Sequence, residues 1–166
     1  LGTPRGAGGD RFDGIAALVG LLATVRCERT AYPQGDALEH ALGVFALVHE
    51  ERPYDEELLT AALVHEVGLA IDRDDPVAAG VAALGDLITP RTRWLVESVA
   101  AARAHADGTL GHRARLRLEA HPDFEAVSLL SDAARRCGGD GGRSLTLDAA
   151  IELLRDLDRE GGDMPA

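Results

Sequence analysis

From Phe12 onward apolar residues recur at helical spacing, and no segment alternates apolar and polar positions with period two. The first ten residues are rich in glycine without an apolar period, which predicts a loose arm over 1–10. A first helix is expected from Phe12 to Val25, ended by the polar run Arg26 to Thr30. After the loop Ala31-Tyr32-Pro33-Gln34-Gly35, Asp36 can cap a second helix reaching His49 or Glu50. Pro53 breaks the chain, and Asp55-Glu56-Glu57 puts acids in the first turn of a third helix ending near Ala70. Pro76 suits the first turn of a short helix to Leu84 or Leu87. Thr89-Pro90 opens a helix to Ala106, which Asp107-Gly108 stops. Leu110 to Ala120 and Pro122 to Arg136 give two more helices, followed by a flexible loop at Gly138 to Gly142. Thr146 to about Asp158 forms the last helix, before a frayed tail over 161–166. With no internal repeat, the pattern predicts one all-α domain over 11–160.

Composition narrows the classes of function. The chain has 166 residues, 46% of them hydrophobic and 27% charged, within the ordinary range for a globular domain. Its 17 basic residues are all arginine and face 28 acids, a net charge of −11 that argues against non-specific nucleic-acid binding. Cys27 and Cys137 form neither a disulfide framework nor a metal-type spacing. No apolar run is long enough for a membrane span and the start does not read as a signal peptide, so a soluble, cytoplasmic protein is expected.

Polar residues on apolar faces carry the candidate chemistry. Leu58, Ala62, His65 and Leu69 share one helix face, and Leu59, Leu63, Glu66 and Ala70 share the next. His65 and Glu66 are therefore expected to point inward, and a buried carboxylate needs a cation, a donor or a metal. His40 lies on the same stripe as Val44 and Leu47. Two inward histidines and a carboxylate on neighbouring helices are the ingredients of a metal site, or of a hydrogen-bonded core network. The HExxH zinc motif is excluded, because His65-Glu66-Val67-Gly68-Leu69 lacks the second histidine.

Leu38-Glu39-His40-Ala41-Leu42, followed by Tyr54 through Ala61-Ala62-Leu63-Val64-His65-Glu66-Val67-Gly68, resembles the HD-domain superfamily of metal-dependent phosphohydrolases. The likeness extends over roughly Tyr32 to Leu157 and is most specific at Ala61 to Gly68. It implies an HD-domain-like helical bundle and hydrolysis of a nucleotide or another phosphorylated small molecule. It assigns His40, His65, Glu66 and Asp132 as metal ligands, with His65-Glu66 as the catalytic doublet.

Four positions depart from the family pattern. Glu66 replaces the aspartate of the doublet, and its extra methylene moves the carboxylate by about 1.5 Å. Leu69 stands where a lysine or histidine often follows. Pro76, in Asp75-Pro76-Val77-Ala78-Ala79-Gly80, occupies a position at which two-metal members carry a histidine. Ser98, in Val96-Glu97-Ser98-Val99, occupies another. A two-metal displacement thereby loses its ligands. What remains suits a single divalent Mn, Fe, Co, Ni or Zn ion, or no metal at all.

The departures weigh toward an impaired or silent phosphohydrolase-like protein. The alternative is a non-catalytic binding or scaffolding module with a protein partner, and a weaker one is a di-iron oxygenase of the same superfamily. Arg113 and Arg117 share a face at i, i+4, where they would collect a phosphate or simply meet solvent and Glu119. His105, two turns beyond Ser98, reads as a solvated or supporting residue, and Trp94 as core.

Overall fold

The structure is a computed structural model that describes residues 10–26, 35–137 and 145–162. Most of the expected arm, Cys27, Tyr32 and the expected loop at Gly138 to Gly142 lie outside these residues. Among the described residues the chain is all-helical, with one isolated bridge between Arg26 and Asp36.

Side-chain caps set most helix starts. Asp10 caps α1 (Arg11–Gly20) by accepting from the backbone N–H groups of Phe12 and Asp13. Asp36 caps α2 (Ala37–Glu51) through Glu39, and Asp55 caps α3 (Glu56–Val64) through Leu58. Asp75 and Thr89 do the same for α4 (Pro76–Leu84) and α5 (Pro90–Ala106), each with proline in the first turn. Gly108, at φ 72°, supplies the left-handed residue that turns the chain after α5. Then follow α6 (His112–Glu119), α7 (Phe124–Arg136) and α8 (Leu147–Gly162).

Two expected helices are shorter than their periodicity suggests. The first leaves α geometry at Gly20 and tightens into a 3-10 turn over Leu21–Thr24. The third ends at Val64, and a separate 3-10 turn covers Val67–Ala70. The reason for the second break is Gly68. A side chain there would overlap the Pro76 backbone carbonyl, so only glycine lets the start of α4 press against this turn.

The core has α3 at its centre. It packs against α1, α2, α5, α7 and α8, and all of Leu58–Val64 is buried, so this helix has no solvent face beyond its first turn. The polar member of that run, Thr60, donates its hydroxyl to Glu56 Oε1 at 2.8 Å. Phe12, Ile15, Val44, Phe45, Leu95, Leu130 and Leu154 close around it from five helices. Arg91 ties three helix starts together, meeting Asp55 at 2.6 Å, Glu57 at 3.2 Å and Asp123 at 2.9 Å. No helix among the described residues is long and apolar enough to cross a membrane.

Candidate functional site

The end of α3 and the first turn of α2 build one polar cluster in this apolar interior. His65 caps the C-terminus of α3 with helical dihedrals, whereas Glu66 has left the helix at φ −110° and ψ 6°. That change of direction lets neighbouring side chains converge instead of lying about 100° apart around an axis. His40, in the first turns of α2, completes the group. Among the described residues, His40, His65 and Glu66 each offer one ligand atom within 4.8 Å of the others.

Glu66 Oε1 stands 3.9 Å from His40 Nε2 and 3.8 Å from His65 Nε2, beyond hydrogen-bond distance for both. The rings lie with centroids 6.3 Å apart and are inclined at 58°. His65 Nδ1 is 2.8 Å from the Ala62 carbonyl, an acceptor, so that nitrogen carries the proton. Nε2 is left with its lone pair, buried and with no hydrogen-bond partner among the described residues. A backbone carbonyl on one ring nitrogen, with the other free to donate electrons, is the usual arrangement of a metal-binding histidine.

The electrostatics favour neutral imidazole at His40. Burial pushes its pKa below the usual range; the Glu66 carboxylate opposes this, while His65 and Arg103 add to it. The Cys137 thiol is half-buried nearby and donates to the His40 carbonyl across 3.6 Å. Burial pushes this thiol up, and the Glu66 charge acts in the same direction.

The other expected site residues lie elsewhere. Asp132 is outside the cluster, held on the flank of α7 by Arg135 and Arg136, both at 2.8 Å. Those arginines stand three and four residues on, the spacing that captures an acid on its own helix face. They hold the Asp132 carboxyl below its usual pKa. Arg113 and Arg117 are exposed on α6, where Glu119 pairs instead with Arg115 and with His105, each at 2.8 Å. Pro76 opens α4 against Gly68, and Ser98 is half-buried on α5. Trp94 is partly buried, its ring stacked on His121 at 3.5 Å.

Two of the hollows lined by described residues lie near these side chains or the helix starts. The larger, about 730 Å³, is lined by Glu51 to Glu57 and Arg91, and Arg91, Asp55 and Glu57 there are already paired with one another. The smaller, about 310 Å³, lies between α5 and α7 and includes Arg103, His105, Phe124, Ser131 and Asp132. Arg103, absent from the sequence expectations, is the cation whose charge reaches His40. Its signal was available, since it follows the half-buried Val99 by four residues and so flanks the inward stripe of α5. No known family model matches the chain, and no curated protein is similar to it in sequence.

Proposed function

We propose that this chain is an HD-domain-like helical bundle that holds one divalent transition-metal ion on His40, His65 and Glu66. The observation that carries this reading is His65 Nε2, a buried lone pair facing a second imidazole and a carboxylate. Two neutral nitrogens and one oxygen suit Mn, Fe, Co, Ni or Zn, and three protein donors leave positions open for water and substrate. When bound, such an ion supplies Lewis-acid polarisation of a phosphate ester. The chain's own part is to keep His40 neutral and to fix the His65 tautomer through Ala62.

The predicted activity is slow hydrolysis of a phosphomonoester, since one ion cannot clamp both the attacking and the leaving oxygen. A second reading, a metal-bearing module without turnover, is favoured by one observation: Asp132 is engaged by arginines rather than by the cluster. Metal analysis of the dialysed protein after loading tests the shared core of both. About one ion per chain is expected, falling to background in His65→Ala while the helical circular dichroism persists. No retained Mn, Fe, Co, Ni or Zn overturns the metal reading. Metal-dependent turnover of an aryl phosphate, absent in His65→Ala, selects the hydrolase over the module.

A further inference from the structure

We propose that two copies of this chain pair through α4, helix against antiparallel helix about a two-fold axis. The inference is independent of the metal reading. Pro76–Leu84 carries no polar or charged side chain, yet only Gly80 and Leu84 of this helix are buried. A helix that is apolar all round belongs in an interior, and on a surface it marks a place of contact. Val77, Ala78, Val81 and Ala82 form one stripe at helical spacing, with Val81 half-buried and the other three exposed. Five large apolar side chains are exposed among the described residues, and three of them fall in this region. Besides Val77 these are Leu21, 45% exposed at the start of the 3-10 turn after α1, and Ile71, 48% exposed just after the turn Val67–Ala70. The two turns pack on each other and α4 packs on the second, so the three side chains sit on adjoining elements.

Charge selects a second copy as the occupant. At a net charge of −11 two copies repel wherever acidic surfaces meet, and α4 alone among the described α-helices carries no charge. Its ends set the direction. Asp72, Arg73, Asp74 and Asp75 lead into it, a net charge of −2, and Arg73 is turned to the Arg26 carbonyl at 3.4 Å. Asp75 caps the helix, whereas Asp74 is exposed and joins no ion pair among the described residues. At the far end Arg93 donates to the Gly85 carbonyl at 3.1 Å and meets no carboxylate among the described residues; Asp86 beside it brings that end to neutrality. A parallel pair would set two acidic starts together. An antiparallel pair sets Asp74 of each copy toward Arg93 of the other, and it also opposes the two helix dipoles. Alanine at 78 and 82 lets the helix axes approach closely. A face built on one helix of nine residues is small, so the expected dimer is weak and reversible.

Sedimentation velocity of the full chain over a wide range of concentration, with chelator present, tests the proposal. The mass is expected to rise from one chain toward two as concentration rises. Ala82→Glu, on the stripe, is expected to raise the dissociation constant at least tenfold, and Leu116→Glu, on α6, to leave it unchanged. Both positions are exposed, and circular dichroism checks that each variant keeps its helices. Asp74→Arg and Arg93→Asp are each expected to weaken the dimer, and the two together to restore part of it. A monomer at every concentration overturns the proposal and leaves another stretch of this chain or a different protein as the cover. Association untouched by Ala82→Glu, or lost equally in Leu116→Glu, overturns it as well. A dimer that the double exchange fails to restore overturns the antiparallel order.

Discussion

Gly43 shows how a single hydrogen atom decides the packing beside the cluster. A methyl group on it would collide with Cys137 Sγ, which sits against α2 and donates to the His40 carbonyl. Glycine within a helix costs about 1 kcal/mol relative to alanine, whereas overpacking a filled contact costs about 1–3 kcal/mol. Gly43→Ala is therefore expected to destabilise the parent by about 1 kcal/mol. In a Cys137→Ala background it is expected to stabilise by up to about 1 kcal/mol. Chemical denaturation of the four proteins in this cycle measures the sign change, and equal effects in both backgrounds would refute the contact. At this scale His40, His65 and Glu66 were legible as polar residues on apolar stripes. Asp132 was misplaced by its motif, although Arg135 and Arg136 at i+3 and i+4 already announced its partners. Cys137 was not legible, because its seat depends on a glycine 94 residues earlier in a different helix.

At the level of helices, the Asp55–Arg91–Asp123 tie joins the starts of α3, α5 and α7. Burial raises the Asp55 pKa, but the hydrogen bonds from Arg91 and Leu58 and the nearby arginine charges outweigh it and leave it lowered. A carboxyl that ionises more readily when folded stabilises the fold above its unfolded pKa of about 3.9, and this is lost as pH falls through the lower folded value. Asn at this position keeps the cap and removes the charge. Asp55→Asn is expected to cost about 1–2 kcal/mol at pH 7 and to flatten the acid limb below about pH 4. Thermal melts across that range check both, and an unchanged acid limb would show the pair to be idle. The cap Asp36, the helix start at Thr89-Pro90 and the stop at Asp107-Gly108 were readable because capping is local chemistry, whereas Asp55, expected in the first turn, is the cap one residue before it. The break at His65-Glu66 was not readable, since its cause is the approach of Pro76 to Gly68 from the next helix.

Across the whole molecule, α8 closes the bundle onto α1 in two ways whose sizes differ. Arg155 reaches Asp10 and Asp13, and Arg11 reaches Asp158 at 2.8 Å, all near the surface. Beneath them Ala150, Ile151 and Leu154 are buried in the core. Exposed ion pairs contribute about 0–1 kcal/mol, whereas removing a buried leucine costs about 2–5 kcal/mol. Leu154→Ala is expected to lower the unfolding free energy several-fold more than Arg155→Ala, and denaturant titrations that ranked them the other way would make the charges the true latch. The all-helical class was legible throughout because periodicity survives without tertiary information. What hid in the sequence was the central place of α3, whose run Leu-Leu-Thr-Ala-Ala-Leu-Val is apolar on every side except for one self-satisfied threonine.

That enclosure has a kinetic consequence. Backbone amides exchange with solvent deuterium through whichever opening is cheapest, and Leu58–Val64 has no face that can fray without parting five neighbours. Exchange there should require unfolding of the entire bundle and report its full free energy, whereas α6, with only Leu118 buried, should exchange through local opening orders of magnitude sooner. The amides of α3 should thus be the slowest clock among the described residues, running on the lifetime of the fold itself.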